Sequence, residues 1–111
     1  MKIFIFLTIM ISFNFAGSFP SLLFHGNCIT CHQIDNDKSA PSIKKVKSVY
    51  MNVYPKKEDF VKQMSIWVLN PNAKTSIMLD AIEKYELMPH LAYDKQTLEE
   101  IASYIYKTDF K

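Results

Sequence analysis

Cys28-Ile29-Thr30-Cys31-His32 is the stretch that decides how the rest of this chain is read. It is a C-x-x-C-H run, the spacing at which a c-type haem is attached covalently. Two thiols three residues apart on one helical turn lie close enough to add to the two vinyl groups of a single porphyrin. A histidine directly after the second thiol is then held at the iron, where its imidazole can be the proximal ligand.

Other chemistries use the same residue types. An exported chain with two cysteines can close a structural disulfide. A thioredoxin-like redox pair needs a βαβ setting, and no strand pattern flanks this run. Zinc is a third reading, with His25, Cys28, Cys31 and His32 as four candidate donors. Those four crowd into a single predicted helix, whereas tetrahedral sites normally draw their ligands from two separate elements. Haem is the reading that the rest of the chain supports.

The chain has 111 residues and a formal net charge of +2, which suits one small domain. Its two cysteines are the two just quoted. Apolar residues make up 49%, too many for a disordered chain. A core of this size is modest, so a large apolar cofactor would add usefully to the buried area. Gly is scarce, with two in the chain, which disfavours a fold rich in hairpins. Every basic side chain is Lys and none is Arg, which argues against bidentate readout of phosphates or bases. No nucleic-acid partner is expected.

The N-terminus reads as an export signal. Met1-Lys2 is a short basic start, Ile3 to Phe13 is almost wholly apolar, and Phe15-Ala16-Gly17-Ser18 has the small residues of a cleavage site. Cleavage after Ala16 and cleavage after Ser18 both satisfy that pattern. An uncleaved anchor is the rival, but the apolar run is about 11 to 13 residues, short of the roughly 20 that span a bilayer. Residues 1–18 are thus assigned as signal peptide and 19–111 as the functional domain, with no permanent membrane span. Bacterial c-type haem is attached after export, so the expected compartment is the periplasm.

The mature chain predicts helices and no convincing strand. Pro20 to Gln33 is the first, with Pro20 at an early position that suits it and Phe24 one turn before Cys28. Ile34 to Pro41 is a polar loop. Ser42 caps a helix over Ile43 to Asn52, ended by Pro55. Lys56 to Leu69 carries the apolar stripe Phe60, Met64, Trp67 and Val68. Ser76 to Leu87 is amphipathic and is stopped by Met88-Pro89-His90. Asp94 caps a last helix reaching Lys107, with Leu98, Ile101, Ala102 and Ile105 on its stripe. The class is all-α, four to five short helices around one cofactor.

A haem iron takes a second axial ligand or keeps an open face. Met51, Met64, Met78, Met88, His25 and His90 are the candidates. A Met on a helical stripe is usually core filling, which describes Met64 and Met78. Met88 differs, standing at a helix end before Pro89, on a loop able to cross the distal face.

These features together resemble the small class I monohaem cytochromes c. The resemblance rests on Cys28-x-x-Cys31-His32 near the mature N-terminus, Met88-Pro89 near the C-terminus, and the closing helix around Leu98-Glu99-Glu100-Ile101-Ala102-Ser103-Tyr104-Ile105. It covers essentially the whole mature chain. It implies a cytochrome c-like fold with one haem c on Cys28 and Cys31, His32 as proximal ligand and Met88 as distal ligand. It implies that Phe24 packs against Tyr104 where the terminal helices meet. Pro41 matches the loop proline whose carbonyl receives the proximal histidine's ring N–H, orienting that ring. Trp67 resembles the aromatic that reaches a haem propionate, with simple core packing as its plainer role. Two positions depart from the family pattern: Ala40 replaces the usual Gly before the loop proline, and Pro20 falls where a small residue marks the helix crossing.

The function implied is that of a soluble periplasmic carrier of single electrons, not an enzyme. By resemblance its partners are a membrane-bound donor and a terminal oxidase or peroxidase. Lysines concentrate in the middle of the chain (Lys44, Lys45, Lys47, Lys56, Lys57, Lys62). Acidic residues gather toward its end (Asp80, Glu83, Glu86, Asp94, Glu99, Glu100), an asymmetry that can orient docking. Two other readings compete with this one: a five-coordinate haem that senses or binds gases, and a subunit fixed in a larger respiratory complex.

Overall fold

The computed structural model describes residues 19–111; the assigned signal peptide, residues 1–18, lies outside them. Five helices and no strand occur among the described residues. They are α1 (Phe19–Leu23), α2 (Ile43–Val53), α3 (Lys57–Leu69), α4 (Leu79–Tyr85) and α5 (Lys95–Lys107). None is long and apolar enough to cross a membrane.

Three helices follow the sequence pattern closely, and their N-terminal turns explain why. The Ser42 side chain accepts from the Lys45 backbone N–H and opens α2. Asp94 does the same for Thr97 and opens α5. The first turn of α3 carries Glu58 and Asp59, whose charges complement the exposed N–H groups there.

The first helix is shorter than the predicted span over Pro20 to Gln33. After Leu23 the chain widens into a π-helical turn over Phe24–Cys28, and irregular turns carry it through His32. Asn27 supplies a physical reason. Its side-chain amide donates to the Leu23 carbonyl at 2.9 Å, competing for the acceptor that an α-helix would use. The Ile29 N–H then reaches back five residues to Phe24 at 3.3 Å.

The predicted helix over Ser76 to Leu87 also contracts, to α4. Ser76 Oγ accepts from the Met78 N–H at 2.9 Å, a local turn that holds off the helix until Leu79. At the other end Glu86 adopts φ 71°, which closes the last turn. A short 3₁₀ turn at Ala73–Thr75, capped by the Asn72 side chain, links α3 to α4 and was not evident from the sequence.

The core lies where α3 and α5 pack along each other, with α1 laid across α5 and α2 against α3. Phe24, Ile43, Tyr50, Phe60, Met64, Ile101, Ala102 and Ile105 form it. Phe24 and Phe60 are fully buried. Phe24 meets Tyr104 at 5.2 Å and Phe110 at 5.6 Å between ring centroids, so the two ends of the domain close on one ring. Phe60 stands edge-on to Tyr106 at 5.1 Å, and the Tyr106 hydroxyl donates to the Pro55 carbonyl. Lys47 of α2 donates to the Thr108 carbonyl, fastening the C-terminal tail.

Candidate functional site

A cavity of about 220 Å³ sits among these helices, and every helix after α1 contributes to its lining. Cys28, Cys31 and His32 enter from the turn after α1. Pro41 enters from the following loop, Tyr50 from α2, and Met64 and Trp67 from α3. Ile82 and Tyr85 come from α4, Met88 and Pro89 from the segment after it, and Leu98, Ile101 and Ile105 from α5. The lining is predominantly apolar, as a site for a flat, hydrophobic ring requires. All six residues assigned to the cofactor from sequence (Cys28, Cys31, His32, Pro41, Trp67 and Met88) line this one cavity.

The His32 ring is oriented from behind. Its Nδ1 lies 2.8 Å from the Pro41 carbonyl oxygen, the distance of an N–H donating to that oxygen. That bond fixes the tautomer and leaves Nε2 with a free lone pair. Pro41 is buried, so its carbonyl has little competing water.

Cys28 and Cys31 are both free thiols. Cys31 is exposed and Cys28 half-buried. Burial pushes the Cys28 thiol up to about 11, so it stays neutral at ordinary pH. A neutral, desolvated sulfur fits a thioether bond and makes a poor reactive thiolate. Among the described residues no group of three or more His, Cys, Asp or Glu side chains gathers in a way that could hold a bare metal ion.

The axial candidates separate by position. Met64, Met78 and Met88 line the cavity; Met51, His25 and His90 do not. Met64 is part of the buried core and Met78 packs against it, whereas Met88 does neither. His90 is exposed, and its Nδ1 accepts from the Ala92 N–H at 3.3 Å. His25 is also exposed, with Nε2 3.4 Å from the Tyr104 hydroxyl.

Trp67 lines the cavity with its ring, while its indole N–H donates to the Asn72 carbonyl at 3.0 Å. The N–H therefore braces the end of α3 against the 3₁₀ turn. Tyr50, on α2, is a cavity residue that the sequence does not single out. It is buried, and that burial together with the neighbouring Tyr54 pushes its hydroxyl up to about 12. Asp37 and Tyr85 were also missed. Asp37 Oδ1 accepts from the Ser42 N–H at 2.6 Å, and the Tyr85 hydroxyl donates to the Asp37 carbonyl at 3.2 Å. An acidic residue a few positions before a capping Ser was the available signal.

Comparison with known families agrees with this geometry. The cytochrome c family model matches residues 21–109 of the 111. The chain belongs to the cytochrome c family; it is a small c-type cytochrome. Neither the curated proteins nor the solved structures contain a match. Membership implies covalently bound haem c, for which Cys28 and Cys31 stand at the required spacing, and haem-based electron transfer as the general activity.

Proposed function

We propose that this cytochrome is a soluble carrier of single electrons, exported to the periplasm. It would pass electrons from a membrane-bound donor to a terminal oxidase or peroxidase. In this reading residues 1–18 are removed as a signal peptide. Cys28 and Cys31 hold the ring through thioethers, His32 ligates the iron on the proximal side and Met88 on the distal side. When bound, the haem supplies a one-electron iron couple, and Met ligation in an apolar pocket raises its potential.

The observation that carries the reading is the His32–Pro41 hydrogen bond beside a cavity that also holds Met88. Pro41 engages one ring nitrogen of His32, so the other is available as an axial donor. Met88 supplies a thioether at the same cavity without a structural commitment to the core. With both residues on the iron no position remains for a substrate, which favours a carrier over an enzyme. Trp67 and Tyr50 shape the apolar wall that keeps water from the ring.

Replacing the distal sulfur tests this reading. Met88→Ala is expected to lower the reduction potential of the haem-loaded protein and to open one axial position. An unchanged potential would contradict the ligand assignment.

A further inference from the structure

The loop between the C-x-x-C-H turn and α2 holds a chain of hydrogen bonds that ordinary packing does not require. His32 Nδ1 lies 2.8 Å from the carbonyl oxygen of Pro41. The N–H of Ser42 donates to Asp37 Oδ1 at 2.6 Å. The Pro41 carbonyl and the Ser42 N–H are the two ends of one peptide group. A carboxylate thus grips the donor end of the same peptide plane whose acceptor end orients the imidazole.

We propose that Asp37 is a positioning residue for the proximal histidine, transmitting its negative charge to His32 through the Pro41–Ser42 peptide. The relay runs from carboxylate to peptide N–H, and from peptide carbonyl to imidazole N–H. A charge-assisted bond at one end of a peptide polarises it, and hydrogen bonds in series strengthen one another. A more strongly held Nδ1–H makes Nε2 a better electron donor. Asp37 therefore favours the oxidised iron and lowers the potential set by His32 and Met88. This inference rests on the reading of His32 as the axial ligand.

Three further observations support it. Pro41 and Ser42 are both buried, so the peptide plane is shielded although the Asp37 side chain is exposed. The Tyr85 hydroxyl donates to the Asp37 backbone carbonyl at 3.2 Å, so α4 fixes where the carboxylate stands. The Asp37 carboxyl is held below its ordinary value of 3.8, first by the Ser42 N–H and further by the nearby ammonium groups of Lys45 and Lys84. It is therefore charged throughout the neutral range.

The test compares haem-loaded wild type with Asp37→Ala, Asp37→Asn and Tyr85→Phe. Reduction potential and hydrogen exchange of the His32 ring N–H, read by NMR, are the measurements. Asp37→Ala is expected to raise the potential and to speed that exchange by up to about tenfold, as befits loss of one screened charge-assisted hydrogen bond. Asp37→Asn keeps a neutral acceptor and falls between Asp37→Ala and wild type; Tyr85→Phe shifts both readouts the same way by less. If Asp37→Ala does not retain haem, Asp37→Asn carries the comparison, because it removes the charge with little change of shape. Variants that melt earlier but keep the wild-type potential and exchange rate would show a structural role alone and overturn the relay. A wild-type protein without iron-shifted His32 ring signals would overturn the axial assignment beneath it.

Discussion

At the residue scale, His32 is defined by what holds each of its nitrogens. Pro41 takes Nδ1, and the cavity takes the other face. Cys28 adds a half-buried sulfur beside it, whose thiol burial pushes up to about 11. Attachment through both sulfurs gives a direct expectation. Cys28→Ala should lose stable retention of haem after denaturation, read by haem staining on a denaturing gel. Wild-type covalent haem content in that variant would refute the role of Cys28. Glu86 offers a second residue-scale expectation. At φ 71° and ψ 173° it occupies a region that essentially only Gly adopts, at a strain of roughly 1–3 kcal/mol. Glu86→Gly relieves that strain but loses roughly 0.5–1 kcal/mol to chain entropy. A net gain of about 1 kcal/mol in unfolding free energy is expected for the haem-loaded protein, measured by denaturant titration, and a loss would show that Glu86 is held there by a contact worth more than its strain.

At the element scale, the helices that the sequence made legible carry a side-chain cap or acidic residues at their first turn and a continuous apolar stripe. Ser42 and Asp94 begin α2 and α5 as expected, and the stripe Leu98, Ile101, Ala102 and Ile105 is buried as expected. The ends of α1 and α4 were not legible, because short polar side chains compete with the backbone there. Asn27 takes the Leu23 carbonyl, and Ser76 takes the Met78 N–H. The Asn27 bond sets where the C-x-x-C-H turn begins and the Ser76 bond where α4 begins, while Glu86 at φ 71° ends α4 ahead of the Met88 segment. The approach of Phe24 to Tyr104 was expected from the family resemblance alone, and the added packing of Phe110 was not expected. The six residues assigned from the sequence and the family resemblance line one cavity, but the network around them was not legible, since Asp37, Tyr50 and Tyr85 reach it through the fold.

The helix cap at Asp94 also fixes a pH response. Its carboxyl lies below the ordinary value of 3.8, chiefly through hydrogen bonds from the Thr97 side chain and backbone. A carboxyl depressed in the folded state contributes stability above its unfolded value, and that contribution fades as pH falls through the folded value. Asp94→Asn should therefore flatten the loss of stability as pH falls below the ordinary carboxyl value, measured by denaturant titration at each pH. An acid slope identical to wild type would remove Asp94 from the account.

At the scale of the whole molecule, the domain is a shell of helices around one cavity. The core is therefore not independent of the cofactor: Tyr50, Met64, Ile101 and Ile105 belong to both the packed interior and the cavity wall. A large apolar ring adds buried area that a chain of this length cannot supply alone. The central claim is that the iron is closed on both faces, by His32 and by Met88. Carbon monoxide added to the reduced, haem-loaded wild-type protein at neutral pH tests it most directly. A visible spectrum that is unchanged, or that changes only slowly and in part, is the predicted result; rapid and complete conversion to the carbon monoxide complex would contradict it.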